Sequence, residues 1–258
     1  MTKYWYNMTK YLNLLRTLVG RDIKLKYKNS YLGMLWTLLN PILMMIILTI
    51  VFSTIFEKNI PNFPVYLLSG RILFEFYSMA TKTAMKAVIG GASLIKKVYV
   101  PKYIFPISKV LSAFVNLLFS MIALVLVMIV TKVPFSFTQL LFPIPLIYLL
   151  VFSMGVGLIL SSYTVFFRDI EHLYGVLLTA WTYATPIFYP AEIIPEEFQA
   201  ILTYNPLHHI IKMFRDIMIY NTVPDLMSNL ICMTFSGVTF LLGLYLFYKK
   251  QDKFILYI

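Results

Sequence analysis

Few side chains of this sequence could act in catalysis or metal binding, and their spacing does not match the motifs that such sites use. Its three histidines lack the spacing of metal ligands, and no H-E-x-x-H motif is present. Glu192, Glu196 and Glu197 are interspersed with Pro190 and Pro195, as in a solvated loop rather than in a carboxylate pair for acid–base catalysis. A G-x-x-x-x-G-K-S/T phosphate loop is also missing. The sequence therefore predicts no catalytic residue, no metal site and no nucleotide site, and we expect that the chain is not an enzyme.

Two charged residues lie inside the otherwise apolar stretch Val65–Ala84. Arg71 and Glu75 are four positions apart and so fall on neighbouring turns of one helix face. Charges within a membrane span usually face a bundle interior or an aqueous path. Two interpretations are open: an intramembrane ion pair that satisfies itself near the outer headgroups, or a charge pair on a transport pathway or dimer contact.

The overall composition is that of a membrane protein. Of the 258 residues, 60% are apolar, 17% are aromatic and 13% are charged, and the mean hydropathy is +0.78. A soluble domain has about 45–50% apolar and about 25% charged residues. The net charge of +11 would suit nucleic-acid binding, but the Lys and Arg residues flank apolar runs, as membrane topology requires. We therefore predict an integral membrane protein without a nucleic-acid partner.

Six stretches are candidates for membrane-spanning helices, each of which needs about 20 residues. The second is the weakest because it contains charged residues. We expect an all-α membrane protein with an N-terminal amphipathic interface helix, six transmembrane helices, and re-entrant or short outer helices between helices 5 and 6. The predicted spans are Leu35–Phe56, Val65–Ala84, Val110–Thr131, Leu140–Phe166, Leu173–Ala191 and Leu226–Tyr248.

The distribution of positive residues sets the predicted orientation. Seventeen Lys and Arg residues fall on the side of both termini and four on the other side, so the positive-inside rule places both termini in the cytoplasm. Apolar residues recur at three- and four-residue steps over residues 3–19, which is typical of a helix that lies in the headgroup plane. We expect residues 1–33 to form a cytoplasmic interface helix with a basic linker, and residues 34–258 to form the domain of a multi-pass protein of the cytoplasmic (inner) membrane.

Prolines divide the stretch between the fifth and sixth predicted spans into short apolar pieces. Glu196–Thr203 and Leu207–Tyr220 are too short to span, and Asn205-Pro206 separates them. Non-helical backbone at membrane depth is tolerated only where protein or a water-filled cavity covers it. Residues 186–225 are therefore predicted to form an outer gate, and a pair of helices lying flat on the outer surface is the alternative.

Several motifs of the chain resemble those of ABC-2-type permeases that export polysaccharides, with O-antigen exporters the most similar subfamily. They follow one another in the order of the family and cover the chain almost end to end. They are Arg21–Trp36 followed by Asn40-Pro41, Leu94–Lys97 with Pro101-Lys102 and Pro106, Arg168-Asp169-Ile170, Thr185–Pro190 with Ile194-Pro195, and Asn205-Pro206.

The resemblance implies a half-transporter that works as a homodimer with two copies of a separate ABC ATPase subunit. ATP and Mg would bind that partner, and this chain would hold no cofactor. The implied substrate is a polysaccharide linked to polyprenyl diphosphate, which would leave the cytoplasmic leaflet of the membrane lipid. Related systems that export teichoic acid or capsular polysaccharide, and ABC-2 exporters of drugs or lipids, are alternatives within the family.

The resemblance and the predicted topology together suggest three groups of functional residues. A loop at residues 87–106, with a coupling helix over Ser93–Tyr99, is expected to contact the ATPase, and three lysines before the first span are expected to meet the lipid diphosphate. The ATPase-coupling residues are Leu94, Ile95, Lys96, Lys97, Tyr99, Arg168 and Asp169. The substrate-loading residues are Lys24, Lys26, Lys28, Tyr31, Leu32 and Gly33. The outer-gate residues are Pro186, Tyr189, Pro195, Phe198, Asn205 and Pro206.

Two function classes outside the family compete with this interpretation. A membrane-embedded transferase that acts on lipid carriers would need a carboxylate or histidine cluster at a membrane face, which the sequence does not suggest. An ion-coupled secondary transporter would usually need ionisable groups near the middle of the membrane, and five of the six predicted spans contain no Asp, Glu, Lys, Arg or His. Both classes would work without an unlinked nucleotide-binding partner, which separates them from the exporter interpretation.

Overall fold

The computed structural model of the chain describes residues 2–28, 31–56, 60–98 and 100–258. All regular secondary structure in these ranges is helical, which confirms the predicted all-α class. The α-helices are α1 (Thr2–Tyr27), α2 (Trp36–Phe56), α3 (Phe63–Met85), α4 (Ala87–Gly90), α5 (Ala92–Ile95), α6 (Ile104–Val130), α7 (Pro143–Thr164), α8 (Ile170–Ala184), α9 (Gln199–Thr203), α10 (Pro206–Met218) and α11 (Leu226–Lys250). Short 3-10 helices occur at Gly33–Leu35, Phe137–Leu141, Ala191–Ile193, Glu196–Phe198 and Gln251–Leu256.

Four helical stretches in the described residues are long and apolar enough to cross a membrane. They coincide with the first, third, fourth and sixth predicted spans, and they are Gly33–Phe52, Ile104–Val130, Phe137–Thr164 and Leu226–Leu256. The second predicted span corresponds to α3, which has 23 residues but carries charges. The fifth corresponds to α8, which has 15 residues and is about 22 Å long. α8 is shorter than predicted because Thr185, which precedes Pro186, is extended and ends the helix.

α3 lies at the centre of the helix bundle. It contacts α2, α6, α7, α8 and α10, and residues on most of its circumference are buried. Tyr77 stacks on Phe152 of α7 with ring centroids 5.5 Å apart, and Thr81 accepts a hydrogen bond of 2.7 Å from the hydroxyl of Tyr174 on α8. This packing leaves one narrow face of α3 uncovered, and that face carries the charged residues.

α7 and α11 approach each other backbone to backbone. A Cβ atom added to Gly243 would lie 2.5 Å from the carbonyl oxygen of Gly155, and one added to Gly155 would lie 2.6 Å from the amide nitrogen of Phe240. Small residues permit such close contact between membrane helices, where van der Waals packing is the main attraction. The two glycines therefore set the distance between α7 and α11.

A second, smaller core surrounds Phe254, in the 3-10 helix that follows α11. Phe254 is fully buried against Phe247, and the same core includes Val88 of α4, Ile95 of α5 and Phe105 of α6. Lys102 Nζ also donates a hydrogen bond of 2.6 Å to the carbonyl oxygen of Gln251. We call this set of contacts the Phe254 core. It joins the loop between α3 and α6 to the last residues of the chain.

The close approach of α7 and α11 gives a first testable prediction. Gly243→Val should lower the free energy of unfolding by at least about 2 kcal/mol, because the added methyl groups overlap the backbone of α7. Gly237→Val is the matched control in the same helix, since nothing lies within 4 Å of a Cβ at that position. The measurement is unfolding of the purified protein in mixed detergents. Equal effects of the two variants would show that helix propensity, and not the α7–α11 contact, is responsible.

Candidate functional site

The end of α1 is attached to α6 through polar contacts. Asp22 Oδ2 lies 2.8 Å from Lys109 Nζ and accepts a hydrogen bond of 3.4 Å from Ser112 Oγ. Further along both helices, the Tyr27 hydroxyl donates to Asn116 Oδ1 at 2.5 Å. The three residues on α6 recur at three- and four-residue steps and so form one polar face. This face fixes the C-terminal part of α1 beside the bundle.

A cavity of about 510 Å³ lies between the end of α1, the start of α2, α3 and α6, and we call it the α1–α3 cavity. Its size is within the range of about 300–1,000 Å³ that is usual for ligand pockets. The wall combines apolar and aromatic surface with polar groups from all four helices. The main polar and aromatic lining residues are Lys26, Tyr27, Trp36, Thr37, Asn40, Glu75, Asn116 and Ser120.

Of the three lysines predicted to meet the substrate, Lys26 alone lines this cavity. Its Nζ lies 3.9 Å from the sulfur of Met79 on α3. Burial lowers the pKa of Lys26, and the nearby carboxylate of Glu75 opposes that shift. All three lysines are exposed to solvent, but Lys24 and Lys28 are not part of the wall. Of the three predicted lysines, Lys26 is therefore in a position to bind a ligand in this cavity, and Lys24 and Lys28 are not.

The other predicted substrate-loading residues form the turn before α2. Tyr31 is fully exposed and Leu32 is partly exposed, at 41%. Gly33 has φ +47°, a left-handed conformation that glycine adopts without strain. The lining of the α1–α3 cavity begins one turn later, at Trp36. These three residues therefore border the cavity and are not part of its wall.

A second cavity, of about 540 Å³, lies between α3, the end of α8 and the residues that follow it, and we call it the α3–α8 cavity. Its polar residues come mainly from the uncovered face of α3, and it shares Glu75 and Met79 with the α1–α3 cavity. The polar lining residues are Arg71, Glu75, Ser78, Lys82, Thr83 and Thr182. One polar face of α3 therefore borders both cavities.

Arg71 and Glu75 lie on this face but do not form the predicted ion pair. The ion pairs among the described residues are Arg21–Asp22, Lys86–Glu171 and Lys109–Asp22. Within the same residues, Arg71 Nε is buried and has no hydrogen-bond partner. The interpretation as a self-satisfied pair is thus wrong, because both side chains are directed along a cavity and not towards each other.

The guanidinium group of Arg215, on α10, is buried and bound by backbone carbonyl oxygens. Nη1 donates to Pro186 at 2.8 Å, and Nη2 donates to Tyr66 and Ile187 at 3.1 Å each. The guanidinium carbon lies 3.4 Å from the centroid of the Tyr66 ring. Burial lowers the pKa of Arg215 to about 10, so the group is charged at neutral pH. It connects α3, α10 and the residues after α8.

Asn205 connects α8 to α10. Its Oδ1 accepts hydrogen bonds from the amides of Leu207 at 3.1 Å and His208 at 3.4 Å, which caps α10, and from Trp181 Nε1 at 2.9 Å. Its Nδ2 donates to Thr185 Oγ1 at 3.0 Å. An asparagine at an N-cap is common, and Pro206 follows at the first helical position, where its missing N–H costs nothing. The Asn205-Pro206 motif thus starts α10 and anchors it.

The remaining residues of the predicted outer gate are spread along the segment between α8 and α10. Pro186 supplies a carbonyl oxygen to Arg215, and the Tyr189 hydroxyl donates to the carbonyl oxygen of Tyr183. Pro195 precedes the 3-10 helix Glu196–Phe198, and the side chain of Phe198 is exposed. The structure therefore divides the predicted gate residues into an anchored group and an exposed group.

A third cavity, of about 360 Å³, lies beside α10 and carries most of the ionisable groups of this segment. It is lined by Glu192, His208, Lys212 and Asp216 together with Arg215. Burial, and then the charges of neighbouring basic residues, lower the pKa of His208 to about 4, so its imidazole is neutral at pH 7. No three His, Cys, Asp or Glu residues in the described ranges are grouped as metal ligands would be.

Comparison with known proteins identifies the family. The family model for ABC-2 type transporters matches residues 13–219, which is most of the chain. The chain belongs to the ABC-2 type transporter family. It is 31% identical over 255 residues to the O-antigen export system permease protein RfbA of Klebsiella pneumoniae, covering 98% of this chain and 97% of the relative. It is 33% identical over 219 residues to RfbA of Myxococcus xanthus, and the alignment covers 84% of this chain and 84% of that relative.

A more distant relative of this ABC-2 permease is the polysialic acid transport protein KpsM of Escherichia coli. It is 24% identical over 242 residues, covering 91% of this chain and 92% of the relative. These matches confirm the predicted family and the predicted class of transport permease. They also place the cavities and the α10 contacts in a membrane transporter.

The predicted coupling helix of this permease is shorter than expected. The sequence predicts a helix over Ser93–Tyr99, but α5 ends at Ile95 and the chain continues as a turn. Ile95 is buried in the Phe254 core, so it does not reach a partner surface, and that part of the prediction is wrong. Leu94 is half-buried, Lys96 and Lys97 are exposed, and Tyr99 lies outside the described residues. Arg168 and Asp169 are exposed just before α8.

Sequence reasoning missed Arg215 and Gly70 as structural residues of this permease. The count of positive residues treats Arg215 as one of the four on the side opposite the termini, together with Lys58, Lys132 and Lys212, but its side chain is buried. Gly70, on α3, leaves the space that the guanidinium occupies, and a Cβ added there would overlap Nη2 of Arg215. The apolar residues that recur along Leu207–Tyr220 were a signal for a buried helix face, and Arg215 follows Ile211 and Phe214 on that face.

The Arg215 contacts give a second prediction. Gly70→Ala should lower the free energy of unfolding by at least about 2 kcal/mol, because the methyl group displaces the guanidinium from three carbonyl oxygens. Gly175→Ala, in α8, is the matched control. Nothing lies within 4 Å of a Cβ there, and alanine favours the helix. Thermal unfolding of the two purified variants measures the difference, and unchanged stability of Gly70→Ala would contradict the role given to Arg215.

Proposed function

We propose that this permease is the channel-forming half of an ATP-driven exporter that moves polysaccharide linked to polyprenyl diphosphate across the cytoplasmic membrane. The main observation in support is the polar face of α3. It carries Arg71, Glu75 and Lys82 through a bundle of otherwise apolar helices and borders two cavities. Unpaired charges within a span mark aqueous or substrate pathways. A hydroxyl-rich chain needs such a pathway because it cannot cross apolar packing.

Similarity to the relatives supports an O-antigen-like glycan. Identity is 31–33% to the two RfbA permeases and 24% to KpsM. We therefore propose O-antigen-like polysaccharide as the cargo. Permeases for capsular polysaccharide or teichoic acid are the second candidate, and the KpsM similarity is the observation that favours a capsule system.

The proposed topology has six spans with both termini in the cytoplasm. α3 is long enough for a span, and its charges are directed into cavities rather than to lipid. α8 is short, but the anchored residues Thr185–Pro190 extend it towards the outer side. The excess of Lys and Arg on the side of α1 and the α3–α6 loop supports this orientation. Residues 1–33 then form the interface helix and linker, and residues 34–258 form the transmembrane domain.

In the proposed assembly, two copies of this chain form the channel and two separate ATPase subunits bind ATP and Mg. Leu94, Lys96, Lys97, Arg168 and Asp169 are the proposed contacts with the ATPase. The Phe254 core supports this assignment because it packs the loop at residues 87–106 against Val165 and Phe166, which lead to Arg168. Because the two segments are packed together, movement of either one displaces the other. Binding of the ATPase at these segments can then shift the equilibrium between the states of the channel.

The α1–α3 cavity is the proposed loading site for the lipid diphosphate. Lys26 lies on its wall at the end of α1, where the interface helix meets the first span. A lysine meets a phosphate as a point charge. Tyr31, Leu32 and Gly33, in the turn at the border of this cavity, are the proposed passage for the lipid chain. Lys24 and Lys28 serve topology in this proposal and do not bind the headgroup.

The loading site gives a third prediction. Lys26→Gln in the complex with its ATPase should weaken binding of undecaprenyl diphosphate about tenfold, because the cavity loses its one lysine. Lys24→Gln removes the same charge two residues away, at a position outside the cavity wall, and should change the Kd less than twofold. Binding is measured in nanodiscs at fixed ionic strength. Equal weakening by both variants would assign the effect to general surface charge and remove Lys26 from the site.

The segment at residues 186–225 is the proposed outer gate, which closes the channel at rest. Arg215, Asn205 and Pro186 anchor one part of this segment to α3 and α8. The exposed part, around Pro195 and Phe198, is the proposed plug that meets its copy at the two-fold axis. Phe198 is more than half exposed in the isolated chain, as expected for an apolar side chain that the second subunit covers in the dimer.

The gate gives a fourth prediction. Phe198→Cys should crosslink across the dimer on oxidation, and the crosslink should block export while ATPase binding is retained. The native Cys232 is buried and contributes no background. Leu226→Cys, which is exposed at the start of α11 outside the segment, is the control. Full export through a dimer crosslinked at position 198 would contradict the gate and favour helices that lie flat on the surface.

A further inference from the structure

The α1–α3 cavity contains more polar groups than the binding of a diphosphate requires. In the described part of the chain, the carboxylate of Glu75 and the carboxamide of Asn40 line the cavity without a hydrogen-bond partner. By contrast, Asn116 is satisfied at both of its side-chain atoms, by Tyr27 and by the carbonyl oxygen of Ser112. Glu75 and Asn40 are thus free to bind a ligand.

These two residues lie deeper along the helices than Lys26. Lys26 Nζ touches Met79, and Glu75 is one turn, about 6 Å, further along α3. Asn40 is one turn from Trp36 along α2, and the exposed indole of Trp36 forms part of the same wall. A group held at Lys26 therefore has, next to it, a carboxylate, an amide and an aromatic face.

This combination matches the chemistry of a sugar ring. A carboxylate and an amide bind the hydroxyl groups of a pyranose, and an aromatic ring packs against its apolar C–H face. The negative charge of Glu75 has a second effect. A diphosphate esterified at both ends carries one ionisable oxygen fewer than a bare lipid diphosphate, so a nearby carboxylate repels it less.

We propose that Glu75 and Asn40 are specificity-determining residues that recognise the sugar attached to the diphosphate and discriminate against the bare lipid carrier. This inference rests on the proposed loading of a lipid diphosphate at Lys26. Lys26 binds the diphosphate in both lipids, Glu75 and Asn40 bind the first sugar, and Trp36 packs on its face. The consequence is that an unloaded carrier does not occupy the cavity in competition with the glycolipid.

The test compares two probes on the complete permease–ATPase complex in nanodiscs. One is farnesyl diphosphate, and the other is farnesyl diphosphate that carries one glucose or one N-acetylglucosamine. We expect the wild type to bind at least one of the glycosylated probes about tenfold more tightly than the bare one. Glu75→Gln should bring this ratio close to one, with tighter binding of the bare probe, and Glu75→Asp should retain part of the ratio. Asn40→Leu should weaken glycosylated probes about fivefold and leave the bare probe unchanged.

Two further variants separate this inference from the loading site itself. Lys26→Gln should weaken both probes about tenfold and leave their ratio unchanged. Asp252→Asn removes a carboxylate that is exposed and is not part of the cavity wall, and it should change neither affinity. An unchanged ratio in Glu75→Gln, with Lys26→Gln still weakened, would overturn the sugar recognition alone. No effect of Lys26→Gln on either probe would overturn the loading site, and displacement of both probes by inorganic pyrophosphate at equal concentration would show that neither lipid nor sugar is recognised.

Discussion

A buried positive charge without a carboxylate partner holds α3, α10 and the residues after α8 of this permease together. Arg215 has lost its water, and burying a charge is costly unless hydrogen bonds replace the lost hydration. The replacement comes from the carbonyl oxygens of Tyr66, near the start of α3, and of Pro186 and Ile187, in the non-helical residues that follow α8. One side chain thus satisfies backbone groups of two segments that do not otherwise share secondary structure, and Gly70 leaves it the necessary space.

The same requirement, that polar groups within a membrane must find partners, explains the role of α3. Its packed faces satisfy their hydroxyl groups locally, as Thr81 does with Tyr174 and with the carbonyl oxygen of Tyr77. Its remaining face carries Arg71, Glu75 and Lys82, which form no ion pair among the described residues and border the cavities. α3 is therefore both deeply buried and a hydrophilic wall of two cavities, a combination that transport of a hydrophilic chain requires.

Much of this architecture could be predicted from the sequence, because long apolar runs and flanking charges have a strong signal. Four of the predicted spans meet the criteria of length and hydropathy, and the break at Asn205-Pro206 starts α10 as expected. Features that depend on which helices are neighbours could not be predicted. A count of charges treats Arg215 as a loop residue, although its side chain is buried. Sequence spacing does not show that Lys26 lines a cavity and Lys24 does not. The i,i+4 rule pairs Arg71 with Glu75, although the two side chains line a cavity and form no ion pair. Ile95 has the composition of a docking residue, but the fold uses it in the Phe254 core.

The contact between Gly155 and Gly243 has a mechanical consequence. Helices in backbone contact cannot slide or tilt independently without losing most of their attraction, so α7 and α11 behave as a single stiff body, to which α3 and α6 are joined by extensive burial. α2 and α8 are held far less: the buried residues of α2 between Trp36 and Phe52 are Pro41 and Met45, and those of α8 are Tyr174 and Leu178. Displacement costs least where few contacts are broken. The movements of a transport cycle are therefore concentrated in α2 and α8, beside a rigid part made of α3, α6, α7 and α11. α2 lines the α1–α3 cavity and α8 lines the α3–α8 cavity, so these movements change the shape of both cavities.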